Sequence, residues 1–253
     1  MVKLQHDRPR LFAAFIRHGD YEQLEHTPSA HQPFPLTARG HQQAIIAAHE
    51  LYVFLTEWKC ALAPVIDASQ LLRAWQTAMG INSELKSLFA AHPEAGIDQA
   101  NYDVQVESFD ALAERSVGSL ANLTIPQIEA IIEADPRYPA LPQDWKSNSH
   151  FRLPLQGAES LMEAGFRVAT HIQSGMEALM ESAVKDTLKV FVGHGASIRH
   201  AAHHLGILAF DEIARLSMFH GKPVIVEFGP DTAQWQQVAG NWKVRGQKTV
   251  YTD

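Results

Sequence analysis

Two histidines stand where a buried apolar run ends in glycine. The run Leu11–Ile16 leads into Arg17, His18 and Gly19, and the run ending in Val190, Phe191 and Val192 leads into Gly193, His194 and Gly195. Arg73 follows a third expected strand, Val65–Ala68. Three separate segments can thus deliver two imidazoles and two guanidiniums to one crevice. Two arginines converging in a partly desolvated site repel each other unless an anion lies between them, and the planar guanidinium fork matches phosphate oxygens best. A neutral imidazole whose second nitrogen is pinned to a backbone carbonyl can attack phosphorus. A second imidazole, protonated by the phosphate, can stabilise charge on the transferring group. Taken alone, one Arg-His-Gly tripeptide is more often a strand-end histidine with a satisfied hydrogen bond; the chemical reading rests on the co-occurrence.

These residues need strands that end together. A short, nearly continuous apolar run is the pattern of a strand buried on both faces, which Leu11–Ile16 shows throughout and Leu188, Val190, Phe191 and Val192 show around Lys189. Further strands are expected at Val65–Ala68, Pro223–Gly229 and, by its alternation, "DVQVESF"; "QWQQVAGNWKVRG" predicts two short strands around a turn at Gly240–Asn241. Helices fall between them. Thr37 is placed to cap "LTARGHQQAIIAAHELYVFL", Ser69 to cap the helix carrying Arg73, and "ASIRHAAHHLG" starts just after His194, where its first residues Gly195 and Ala196 would offer free N–H groups and the positive end of the dipole. "ESLMEAGFRVATHIQSGMEALMES" is a long amphipathic stretch. Alternating strands and helices predict a three-layer αβα fold around a mainly parallel sheet, with ligands beyond the carboxyl ends of the strands. Residues from about 115 to 155 break the pattern with five prolines and one short helical stretch. They are expected to form a cap insertion within a single domain spanning 1–253.

The 253 residues, 46% hydrophobic and 19% charged, suit a core that buries roughly 70–75% of the unfolded surface. A net charge of −7 argues against a nucleic-acid binder, which needs a basic face. One cysteine, Cys60, excludes an intramolecular disulfide or a cysteine-based zinc site and fits a reducing compartment. The run Leu11–Ile16 is too short for a signal-peptide core, and no window approaches the ~20 apolar residues of a membrane span. A soluble cytoplasmic protein without membrane contact is the expectation.

Seven ordered motifs resemble the histidine phosphatase superfamily in its phosphoglycerate mutase-like branch: "RHG", "PLTARGHQQA", "SQLLRAWQTA", "ALAERSVGSL", "GAESLMEAGFRV", "VFVGHGASIRH" and "GKPVIVEF". The resemblance covers roughly residues 11 to 230. It implies that His18 is a nucleophile that becomes phosphohistidine, with Arg17, Arg73 and His194 around the phosphoryl group and Gly195 and Ala196 beside it. It implies that Glu114 protonates the leaving oxygen and then deprotonates water, a role a nearby phosphate dianion favours by holding the carboxyl proton. No metal or other cofactor is required. The implied partner is a small phosphorylated substrate or a phosphoprotein; a homodimer through an exposed sheet edge stays open.

The chain also departs from that pattern. Glycolytic mutases of the family follow Arg-His-Gly with Glu and then Ser or Thr, and place Asn five residues after the glycine. Here Asp20, Tyr21 and Leu24 occupy those places. Such mutases carry Tyr three residues after the catalytic Glu, and further on a Lys and an Arg pair that grip the substrate; here Val117 follows, "SLANLTIPQ" has no cation, and only Lys146 lies near. A mutase must retain its product for rephosphorylation, so these losses favour a phosphomonoester phosphatase over a phosphomutase. A non-catalytic phospho-ligand binder is a third reading. Glu107 is an alternative acid, His200, His203 and His204 have spacing that could place two rings on one helix face for a metal, and Trp145 and Phe151 could line the substrate mouth.

Overall fold

The computed structural model describes residues 8–28, 31–93, 103–229 and 234–246. Its main sheet contains β1 (Leu11–Arg17), β2 (Ala61–Leu62), β3 (Val65–Ser69), β4 (Gln105–Phe109), β5 (Thr187–Gly193), β7 (Pro223–Gly229) and β8 (Gln234–Ala239). The order is β4-β3-β5-β1-β7-β8, with β2 beside β5. β4, β3, β5 and β1 run parallel, whereas β7 and β8 are antiparallel to their neighbours. The fold is an α/β sandwich with a mixed, mostly parallel sheet between helices.

β1 explains why its sequence is apolar without alternation. Phe12, Ala14 and Ile16 pack on helices α1 (Ala38–Glu57) and α2 (Leu72–Ala91) through Ala44, Ala48, Ala78 and Ile81. Leu11, Ala13 and Phe15 face α4 (Leu161–Ser182) and α5 (Gly195–His204) through Val168, Ile172 and Ala201. Each strand residue is buried on one face or the other, so the period of two is invisible in the sequence.

Helix starts follow local chemistry. Thr37 accepts from Gly40 N at α1, and Ser160 forms a capping box with Glu163 at α4. Ser69 does not hold the cap position of α2, which is Leu71; its hydroxyl accepts from Leu71 N at 3.3 Å and meets His194 Nε2 at 2.9 Å. The two strands expected around Gly240 both form, but not with each other. β8 pairs with β7, while β9 (Lys243–Val244) pairs with β6 (Leu216–Ser217), just after α6 (Phe210–Arg215). Gly240, at φ +77, redirects the chain between these sheets.

Residues 117–158 carry a separate small core of Val117, Leu120, Ile128, Ile132, Trp145, Leu153 and Ala158 around α3 (Ile125–Ala134). Trp145 is its centre, 1% exposed, with Nε1 donating to Glu129 at 2.9 Å. Phe151 packs on the edge of the same cluster. An indole supplies more buried area here than any neighbour, which is why Trp145 packs into the segment's core as expected of an insert residue. Among the described residues no helix is long and apolar enough to cross a membrane.

Candidate active site

Sheet register brings the two histidines together. Arg17 on β1 pairs with Gly193 on parallel β5, and His18 N donates to Gly193 O at 3.0 Å. His18 and His194 therefore leave adjacent strands at the same level, with ring centroids 5.1 Å apart. β3 lies on the other side of β5, with Ala68 opposite Val192, so the chain turns into α2 beside them and presents Arg73 in the first turn. Gly19 permits the exit from β1 to lie against α1: a Cβ there would meet Gly40 O at 2.5 Å.

Arg73, fully buried, joins the two rings. Its Nε donates to His18 Nε2 at 3.2 Å, its Nη2 to His194 Nδ1 at 3.2 Å and its Nη1 to Gln32 O at 2.9 Å. These bonds determine the tautomers. His18 Nδ1–H donates to Gly19 O at 2.7 Å, which leaves the Nε2 lone pair toward the pocket. His194 accepts at Nδ1 and donates from Nε2 to Ser69 Oγ at 2.9 Å. Burial, then the nearby His194, Arg73 and Arg17, hold His18 well below its ordinary value of 6.5; burial, Arg73 and Arg17 do the same to His194. Both rings are neutral at neutral pH.

Arg17 crosses from the end of β1 to donate to Met218 O at 3.1 Å, and burial pulls its guanidinium down to about 10 against the opposing pull of Glu114 and Tyr21. It lies over the start of α5, where a Cβ on Gly195 would meet Arg17 Cδ at 2.9 Å. His194 occupies the N-cap position of that helix without capping it by a side chain, so the first N–H groups, at Gly195 and Ala196, stay open. Glu114, 8% exposed, completes the charges around Arg17, and its Oε1 accepts from Arg115 N at 2.9 Å. Glu107 is exposed on edge strand β4.

Several positioning residues carried no signal in the motifs. Gln32 is fully buried and ties Leu24 N, Thr27 O and Pro28 O into one loop whose carbonyl holds Arg73. Thr77 accepts from Gly19 N at 2.9 Å and donates to Arg73 O at 2.7 Å. Tyr21, where the mutase pattern has a hydroxyl residue, places its ring 5.2 Å from His18 and under the Arg73 guanidinium at 4.5 Å. Arg167 on α4 bonds the carbonyls of Ala111 and Ala113 and pairs with Glu159 at 2.8 Å, fixing the segment that ends in Glu114. It was visible as the arginine of "GAESLMEAGFRV" but not as an anchor.

The expected sparsity of cations near the site is corrected by the fold. A cavity of about 200 Å³ beside Glu114 and Ala196 is lined by Arg115, Lys146, Arg199 and Arg245. Only the position of Arg199, a charge inside the otherwise buried α5, signals this in the sequence. The three helical histidines diverge: His200 bonds Ala196 O and Ser149 Oγ, His203 bonds Leu208 O, and His204 bonds Met162 O.

Comparison with known structures finds the same fold. A phosphoglycerate mutase from Bacillus anthracis superposes with a TM-score of 0.64 at 13% identity over 92% of this chain and 93% of that chain. A mycobacterial glucosyl-3-phosphoglycerate phosphatase, solved with VO3, superposes with a TM-score of 0.60 at 21% identity over 91% of this chain and 98% of that one. At such identities the likeness is one of fold. No protein of curated function matches the sequence. Residues 13–241 match the Histidine phosphatase superfamily (branch 1), and the protein belongs to that superfamily.

Proposed function

We propose that the protein is a metal-independent phosphomonoester phosphatase that works through a phosphohistidine on His18. The carrying observation is the hydrogen bonding of His18: Nδ1 lies 2.7 Å from Gly19 O and Nε2 accepts from Arg73 Nε at 3.2 Å, so the unprotonated nitrogen is Nε2, which must exchange that bond for phosphorus, beside His194. The phosphoryl group takes the place between the two rings, where Arg17, Arg73 and the open N–H groups of Gly195 and Ala196 bear on its oxygens. A phosphate dianion there raises the proton affinity of His194, which then donates to the transferring group. His18 Nε2 attacks phosphorus, the P–O ester bond breaks, and Glu114 gives its proton to the departing oxygen. Glu114, now a carboxylate, takes a proton from water as that water attacks the phosphoryl group; the P–N bond breaks and inorganic phosphate leaves.

In this reading the chain is one domain of 1–253, with 115–155 as a cap, the substrate is a small phosphorylated molecule, and the setting is a reducing compartment such as the cytoplasm. Turnover of an aryl phosphate that survives EDTA, with an acid-labile phosphoryl label lost in His18→Ala, tests it; full activity in His18→Ala overturns it. The cations lining the cavity beside Glu114 favour a second reading, a phosphomutase, because they could retain an anionic product. Isomerisation of a phosphorylated hydroxy acid faster than phosphate release selects that reading.

A further inference from the structure

A buried ion pair joins two apolar strands outside the groups that the chemistry uses. Asp67 on β3 is 3% exposed and Lys189 on β5 is 9% exposed. Lys189 Nζ donates to Asp67 Oδ1 at 2.6 Å and to Val65 O at 3.4 Å, and His171 on α4 meets Asp67 Oδ2 with its Nε2 at 2.9 Å. Gly175, one turn further along α4, leaves room for the lysine stem, since a Cβ there would meet Lys189 Cε at 3.2 Å. Charges are buried this deeply only when paired, and apolar groups of similar volume often serve stability as well or better. Stability alone therefore does not account for the pair.

The register of the sheet gives the pair a task. β2 and β3 lie one after the other beside β5, with Leu62 opposite Leu188 and then Asp67 opposite Phe191. Residues 63–66, which include Pro64, thus span the length that residues 189–190 span on β5, so the chain bulges between the two pairings. Lys189 stands opposite this bulge and holds Val65 O and Asp67 across it. Had β3 continued the register of β2, Val65 would face Phe191 and Ile66 would face Val192. Such a slip by an even number of residues keeps every side chain on its own face of the sheet, so the apolar pattern permits that pairing as well as the native one. It would carry Ser69 roughly 6–7 Å along the strand, away from His194, and with it the start of α2 and Arg73. Asp67 and Lys189 would lose each other, and a buried charge without its partner is strongly disfavoured. We propose that Asp67 and Lys189, braced by His171, are positioning residues that select the register of β3 on β5 and so set Ser69 and Arg73 against His194. Their bearing on turnover rests on the phosphatase reading; the choice of register does not.

Methyl NMR reads the register directly, because Ile66, Ala68 and Val192 share the face toward α1 and α2. In the wild-type protein the strongest contact of the Val192 methyls to β3 should be with Ala68, its register partner. Asp67→Leu/Lys189→Met replaces both charges by apolar groups, so its Tm is expected to stay within a few degrees of wild type. A second set of signals, with Val192 against Ile66, should appear in it, and kcat/KM on p-nitrophenyl phosphate should fall about 10- to 100-fold, the effect of misplacing catalytic groups by an ångström or more. Asp67→Asn/Lys189→Met keeps the side-chain shape on β3, carries the same expectation and serves if the apolar pair does not fold. The native contact alone in a folded variant overturns the inference, as does turnover within about twofold of an active wild type. If the contact shifts while the wild-type protein hydrolyses no aryl phosphate, the phosphatase reading fails and the register role stands.

Discussion

Arg73 and Arg199 are both buried arginines within a short reach of the same catalytic centre, and they are treated in opposite ways. Every nitrogen of Arg73 has a partner: His18, His194 and the carbonyl of Gln32. Arg199 keeps an Nε with none. The cluster around His18 and His194 is therefore organised without a ligand, its imidazoles held in fixed orientations by one guanidinium. The wall of the cavity beside Glu114 is not closed in this way, since Arg199 Nε is buried there without a partner. Pre-organisation lowers the reorganisation cost of the reaction itself, which is common to every phosphomonoester. An unfilled set of donors discriminates, because a ligand lacking the matching acceptor leaves them buried and unpaired.

Breaking the ordered side should give the larger effects. Glu114→Gln removes the proton donor but keeps the shape, and kcat on an alkyl phosphate is expected to fall about 10²–10⁴-fold. The loss should be much smaller on p-nitrophenyl phosphate, whose leaving group needs no proton; equal losses on both esters would deny Glu114 the acid role. Arg73→Lys keeps a charge but not the fork that reaches both rings, and kcat/KM should drop roughly 10²–10³-fold. Steady-state kinetics of the purified variant decide this, and a change under threefold means that bridging the imidazoles is not what Arg73 contributes.

A further prediction concerns acid. Burial holds His18 and His194 well below 6.5, His200 at about 4 and His220 at about 3. Between 6.5 and those values the unfolded chain binds protons that the folded chain refuses. The stability from these neutral rings is thus complete above ~6.5 and is lost as pH falls toward about 3. Thermal denaturation should show Tm lower by roughly 5 °C or more at pH 5 than at pH 7.5, with inorganic phosphate raising Tm at both. A flat Tm across that interval would mean that the rings are already charged in the fold. The smallest effect belongs outside both regions: Glu107→Gln, on the exposed edge of β4, should leave kcat within about twofold, since surface changes away from the site do little.

The strand ends at His18 and His194 were legible because each follows an unbroken apolar stretch, Leu11–Ile16 and Val190–Val192, after which the first polar residues mark the exit from the sheet. Arg73 was legible from its place in the first turn of the helix that follows a third expected strand. Ser69 was not: as a serine after a strand it has the pattern of a helix cap, and only the register of β3 beside β5 shows that its hydroxyl meets His194. Trp145 left two readings open, packing within the insert or lining a substrate mouth, and the small core of 117–158 bears out the first. The segment 234–244 has the turn residues of a hairpin, yet its two halves found different partners, since strand pairing is chosen by what lies alongside in space.

By itself the sequence determined the layered fold, and it singled out Arg17, His18, Arg73 and His194, the four side chains that the fold brings together at the strand ends, in the order in which the chain supplies them. Each of these follows from local pattern, apolar period, cap or turn, acting within one segment. The tertiary structure alone decided that Arg17 would stand level with Gly193, that Arg73 would bridge two neutral rings, and that Arg115, Lys146, Arg199 and Arg245 would share one wall. Those are relations between segments far apart in the chain. Sheet register and long-range packing set them, and neither is written in the neighbourhood of any single residue.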